Sequence, residues 1–158
     1  MDIDDISQVY HLGETLFTSE EFPVLYRTWD PFEVTHYFTS NPEYCMVAEI
    51  DDRIVGFVIG TTVEKEGTAW KKYGYLVWIG VDDRYQRKNL GSRLYRRLEE
   101  KFLKDGVRMM IADTEADNKK ALSFFKDEGF SLTSNYIWLA KTLRRRNNNT
   151  ETRKKQGE

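Results

Sequence analysis

The stretch RYQRKNLGSRLYRRLEE, residues 84–100, gathers cations at the point where a helix must begin. Leu90, Leu94, Leu98 and Phe102 recur every four positions, the spacing of one helical face. Ahead of them stand Arg84, Arg87 and Lys88, around a single glycine, Gly91. A helix start already has N–H groups without partners and the positive end of the macrodipole, so added cations there oppose stability. They make chemical sense if an anion is to be held. Neither the phosphate loop GxxxxGKS/T nor the dinucleotide fingerprint GxGxxG occurs, so both of those anion-binding devices are excluded. What remains is a strand that splays, a turn of exposed amides and a helix N-terminus that together grip a pyrophosphate.

The charge pattern supports a site of this kind. The net charge of the chain is −2, yet residues 1–66 carry 14 acidic against 3 basic residues. Residues 84–108 reverse this, with 9 basic against 3 acidic, and from residue 141 onward there are 7 basic and 2 acidic. An acidic first part, a basic segment and a basic tail are thus concealed in a near-neutral total. The chain of 158 residues, 40% hydrophobic and 14% aromatic, is long enough for one domain with a proper core. Its longest apolar run, Tyr73 to Val81, is far short of the roughly 20 residues that span a bilayer. No signal-peptide layout opens it, and a lone cysteine, Cys45, cannot make an internal disulfide; a cytoplasmic, reducing location is expected.

The elements that must position such a site can be read along the chain. Ile6, Val9, Tyr10, Leu12, Leu16 and Phe17 predict an amphipathic helix, and Pro31 after Asp30 opens a second, Pro31 to Phe38. Tyr44 to Ile50 and Ile54 to Val63 read as a hairpin around a turn at Asp51-Asp52-Arg53. The run YGYLVWIGV is apolar on both faces and so predicts a central strand. After it come helix 90–104, ended by Gly106, a buried strand Val107 to Asp113, and helix Asn118 to Asp127, stopped by Gly129. Phe130 to Leu143 supplies closing strands with a turn near Ser134-Asn135, and residues 144–158, without one hydrophobic side chain, read as a disordered basic tail. The order implies an α/β fold, a mixed, mostly antiparallel sheet covered by helices.

At Val81-Asp82-Asp83-Arg84-Tyr85 followed by Gln86-Arg87-Lys88-Asn89-Leu90-Gly91, the chain resembles the GNAT superfamily of N-acetyltransferases, whose pyrophosphate motif is Q/R-x-x-G-x-G/A after a central strand. Gln86 and Gly91 match; Asn89 replaces the first glycine, and asparagine is among the side chains most tolerant of left-handed backbone angles. A second match is Asn118-x-x-Ala121-x-x-Phe124-Phe125-x-x-x-Gly129-Phe130, similar to the family's closing signature NxxAxxLYxxxGF. The resemblance runs from about Ile6 to Leu143 and assigns residues 1–143 to one GNAT domain, with the family's usual first strand missing. It implies acetyl-coenzyme A as cosubstrate, held by Ile79, Val81, Gln86, Arg87, Lys88, Asn89, Leu90, Gly91, Ser92, Asn118 and Phe125. It also implies direct attack by an amine, with no acyl-enzyme.

Acetyl transfer needs a neutral amine, a polarised thioester carbonyl and a proton for the leaving thiolate. Asp113 ends a hydrophobic strand and matches the glutamate that serves as base in ribosomal-protein alanine acetyltransferases; Glu115 is the fallback. The family's tyrosine acid is Phe125 here, which has no proton to donate, so Tyr136, Tyr75, water or no acid at all serves. A peptide or protein amine is the expected acceptor, with a polyamine or aminoglycoside next, and the acidic first part would attract it. Asn89 and Phe125 also motivate a module that binds coenzyme A without turnover. A nucleic-acid binder is the third class, and the absence of a helical DNA-binding frame argues against it. His11 and His36 stand apart, which points to packing or surface roles and no metal; a homodimer is compatible with the pattern.

Overall fold

The computed structural model describes residues 1–17, 29–67 and 69–133, with the side chains of Arg87 and Lys88 outside that description. The order is α1 (Ile6–Phe17), α2 (Pro31–Ser40), β1 (Cys45–Ile50), β2 (Arg53–Glu64), β3 (Lys72–Val81), α3 (Leu90–Lys104), β4 (Met110–Ala112) and α4 (Lys119–Asp127). The sheet order is β1-β2-β3-β4: the first three strands are antiparallel, and β4 joins β3 in parallel. Among the described residues no strand precedes α1. Of the closing strands expected over Phe130 to Leu143, residues 130–133 form no strand, and the rest, with the turn at Ser134-Asn135 and the tail, lies outside the described residues.

Local chemistry explains most boundaries. Asp30 caps α2 by accepting the Glu33 N–H at 3.0 Å, and Pro31 follows where a missing N–H costs nothing. The β1–β2 turn has Asp51 at φ +51° and Asp52 at φ +57°, the paired left-handed residues of a tight hairpin whose twist matches its strands. Asp and Asn tolerate that region because their short side chains bond locally. Gly106 at φ +80° ends α3, and the Val107 N–H turns back to the Phe102 carbonyl at 3.0 Å. Val107 is therefore spent on closing the helix and fills the core. The strand expected over Val107 to Asp113 is shorter for this reason, only Met110–Ala112, and Ile111 stays 41% exposed rather than buried.

Two clusters of side chains hold the layers. On one face of the sheet α3 buries Leu90, Leu94, Tyr95, Leu98 and Phe102 against Val58, Leu76 and Val81. Each such aliphatic side chain contributes about 1.5–3 kcal/mol when removed from water. Phe102 sits where Gly74 has no side chain; a Cβ there would lie 2.6 Å from its ring. On the other face α1 and α2 cover Phe57, Ile59 and Val77.

Trp29 joins this second cluster, its Nε1–H donating to the Tyr10 carbonyl at 2.9 Å and its ring lying on Gly13. A Cβ on Gly13 would fall 2.1 Å from the indole. Gly13→Ala should therefore lower the melting temperature. Overpacking costs about 1–3 kcal/mol and exceeds the gain of up to ~1 kcal/mol from replacing a helical glycine. A raised melting temperature would show that the indole shifts aside freely.

Candidate active site

The site arises where β3 outruns β4. Their parallel pairing is limited to Gly74↔Met110, Tyr75↔Ile111 and Leu76↔Ala112. Beyond this point β3 continues to Val81, while the chain after Ala112 departs toward α4. Pairing of β2 with β3 passes from Ile59↔Trp78 to Gly60↔Leu76, leaving Val77 as an extra residue that bends β3 at the same point. The wedge between the diverging strands is a cleft of about 780 Å³. Its walls are Leu76 to Val81, the turn before α3, Asp113 to Glu115, the start of α4 and the last residues of α1, Thr15 to Phe17.

One end of the cleft is the turn that precedes α3. Asp83–Lys88 forms a 3-10 turn, and Asn89 follows at φ +54°, ψ +26°. The left-handed conformation that the sequence requires at this position is thus adopted by asparagine in place of glycine. Asn89 stands at the cap of α3, and its side chain makes no capping hydrogen bond among the described residues. The first amides of α3 consequently keep the character of a helix start without an internal acceptor. Gly91 and Ser92 line the cleft there. A Cβ on Gly91 would meet Phe124 at 3.4 Å and Val81 at 3.9 Å, ordinary contact distances, so the protein's own packing does not demand glycine.

Of the cations ahead of α3, Arg84 is the one whose side chain is described; those of Arg87 and Lys88 lie outside the described residues. Arg84 turns back onto Asp82, at 2.6 Å and 3.0 Å from its two carboxylate oxygens, and this contact, first through its hydrogen bonds, holds the Asp82 carboxyl below its ordinary value. Gln86 donates to the Val81 carbonyl at 3.2 Å and to the Asp83 carboxylate, tying the turn to the end of β3. Lys120, from α4, reaches Asp83 at 3.6 Å. Leu90 does not line the cleft; it is buried in the core, so only its backbone is at hand there. Ile79, Val81, Gln86, Asn89, Gly91, Ser92, Asn118 and Phe125 do come together around the one cleft. Asn118 has a role that the motif does not reveal: its Oδ1 accepts the Ala121 N–H at 3.0 Å and caps α4.

At the other end, Asp113 and Glu115 both line the cleft, and the Tyr75 hydroxyl donates to Asp113 Oδ1. Tyr75 and Asp113 lie 38 positions apart in the chain, and the parallel register of β3 with β4 is what joins them. Asp113 is exposed, not enclosed as the end of a buried strand would be. Trp78 forms part of the wall beside Phe17, with ring centroids 4.8 Å apart, and its Nε1–H donates to Glu33 on α2 at 2.8 Å. Phe125 packs between Phe124 and Phe130 and offers no proton. Tyr136 lies outside the described residues. Cys45 is buried, and burial pushes its thiol up to about 12, which leaves it an inert core residue.

Residues 9–130 match the family model for the Acetyltransferase (GNAT) family. The chain belongs to that family. It is 29% identical over 98 residues to N-alpha-acetyltransferase 30 of Schizosaccharomyces pombe, an alignment covering 61% of this chain and 64% of that protein. It is 26% identical over 95 residues to the protein of the same name from Xenopus laevis, covering 60% of this chain and 34% of that one. The chain thus spans less than two thirds of the length of these relatives. Its fold is shared with an aminoglycoside N-acetyltransferase, AAC(6')-Iy, solved in complex with CoA, at a TM-score of 0.71, 16% identity, and coverage of 90% of this chain and 92% of that one. Among the described residues no helix is long and apolar enough to cross a membrane.

Proposed function

We propose that this chain moves an acetyl group from acetyl-coenzyme A to a primary amine, a peptide or protein amine first. The observation that carries this reading is the cleft itself, which brings together a helix start with no side-chain cap among the described residues and the carboxylate of Asp113, which accepts from Tyr75. The helix start suits a pyrophosphate. Gly91 and Ser92 line the cleft in the first turn of α3, where the helix dipole is positive, and residue 91 carries no side chain to obstruct an anion there. Asn118 keeps its Nδ2 donors for the coenzyme arm while Oδ1 caps α4. The walls from Leu76 to Val81 and Phe124 to Phe125 present an apolar bed for that arm.

In the reaction the amine nitrogen attacks the thioester carbonyl carbon, a C–N bond forms and the C–S bond breaks. The proton lost by the amine goes to Asp113, and the sulfur leaves as a thiolate that is protonated by water in the open cleft, since Phe125 cannot donate. Tyr75 donates to Asp113 Oδ1 and so orients the carboxylate. Tyr75→Phe should therefore lower kcat by about tenfold, the lower end of what a hydrogen bond to a charged group contributes, with the KM for acetyl-coenzyme A unchanged. A loss exceeding that of Asp113→Asn would make the tyrosine, not the carboxylate, the base.

The names of the relatives favour a peptide N-terminal amine, and the fold neighbour favours an aminoglycoside amine. Thiol release from acetyl-coenzyme A, measured with N-terminal peptides, lysine peptides, polyamines and aminoglycosides, separates them. Release that depends on a peptide is the expected result. Coenzyme binding without release for any amine would make the chain a non-catalytic module. Salt-dependent affinity for nucleic acid with no coenzyme binding would remove the reading altogether.

A further inference from the structure

A turn suited to a pyrophosphate carries two carboxylates of its own, Asp82 and Asp83, side by side. Asp82 is accounted for by Arg84, which binds it through two nitrogen atoms, and by the Arg84 N–H at 3.0 Å. Asp83 is placed differently. Its carboxylate takes a hydrogen bond from the Gln86 amide and lies 3.6 Å from Lys120 Nζ. Gln86, Lys120, Asn89, Gly91 and Ser92 are all walls of the same cleft. The ion pair bridges from the turn before α3 to the first turn of α4, two walls of the cleft. The Asp83 carboxylate thus rests on donors that a phosphate bound beside them would use.

Resting on the acetyltransferase reading above, we propose that Asp83 is an internal competitor for the coenzyme's phosphates, and that Lys120 is the cation exchanged between them. With no coenzyme bound, Lys120 and the Gln86 amide face Asp83. When a pyrophosphate binds at the start of α3, Lys120 leaves the carboxylate for the phosphate, the stronger anion with more acceptor oxygens. The exchange is possible because both partners are solvated, with side chains 75% and 79% exposed, so neither is locked in place. An exposed ion pair is weak, and its loss is a small penalty on coenzyme affinity. Lys120 is in this account a positioning and binding residue for the phosphates, and Asp83 sets how tightly they are held.

The test is a titration of coenzyme A, inorganic pyrophosphate and pantetheine into the full chain and three variants, Asp83→Asn, Lys120→Met and the double variant. Asp83→Asn should tighten coenzyme A and pyrophosphate by about two- to fivefold, the range of an exposed ion pair. Lys120→Met should weaken both by about tenfold, as expected for loss of a charge-assisted hydrogen bond. In the Lys120→Met background the gain from Asp83→Asn should shrink, because the two anions no longer compete for that cation. Pantetheine, which has no phosphate, should bind all four proteins equally; a merely structural role for either residue would shift it too. Both effects should fall as salt rises. Coenzyme binding by the wild-type chain with no tightening in Asp83→Asn would overturn the inference and leave the acetyltransferase reading intact. A wild-type chain that binds no coenzyme A would overturn that reading, and the inference with it.

Discussion

Asp113→Asn should lower turnover by about 10²–10⁴-fold while coenzyme affinity stays nearly unchanged, because it removes a general base and leaves the shape of the site. The amide retains an oxygen that can accept the Tyr75 hydroxyl, so the positioning contact survives and only proton acceptance is lost. The deficit should shrink as pH rises, since more of the amine is then neutral and needs no base. Measuring kcat across that pH range for both enzymes checks this. Equal turnover at every pH would exclude Asp113 from proton transfer and leave Glu115, which also lines the cleft, as the candidate. Phe125→Tyr should act in the opposite sense. A hydroxyl added to a ring already in the cleft wall places a proton donor there, and a modest rise in turnover is expected.

Gly91→Glu should abolish coenzyme binding, with affinity falling by at least about 100-fold, because like charges brought together in a binding site cost several kcal/mol. The fold should survive. A β-carbon at residue 91 meets its nearest neighbours at 3.4 Å and 3.9 Å, and an acidic side chain in the first turn of a helix complements the macrodipole. Binding and stability should thus move independently, and calorimetric titration alongside thermal unfolding reads both. Coenzyme affinity equal to that of the wild type would remove the start of α3 from the phosphate site. Loss of folding would instead show that α3 needs glycine for its packing, contrary to the contact distances.

Much of this was written locally in the chain. The four-residue spacing of Leu90, Leu94, Leu98 and Phe102 dictates helix α3, and its apolar face is buried as the period requires. Asp30-Pro31, Asp51-Asp52 and Gly106 act within a few residues of themselves, so the boundaries they mark are readable from sequence. The substitution of Asn89 for glycine could be judged in advance because the left-handed region is a property of single residues, and that is where Asn89 lies.

Tertiary structure decided whatever depends on partners distant in the chain. The length of β4 could not be read, because Val107 is apolar whether it extends a strand or closes a helix, and only the packing beneath α3 selects the second. Arg84 and Lys120 were legible as charges but not as partners: the short turn returns Arg84 to Asp82, and α4 brings Lys120 to Asp83. Asn118 was legible as a motif residue, yet the geometry of α4 makes it a helix cap as well. The pairing of Tyr75 with Asp113, 38 positions apart, follows from a parallel register set by the whole sheet. The cleft itself exists because β3 is long, β4 is short and Val77 bends β3 where their pairing ends, and none of these facts belongs to one segment alone.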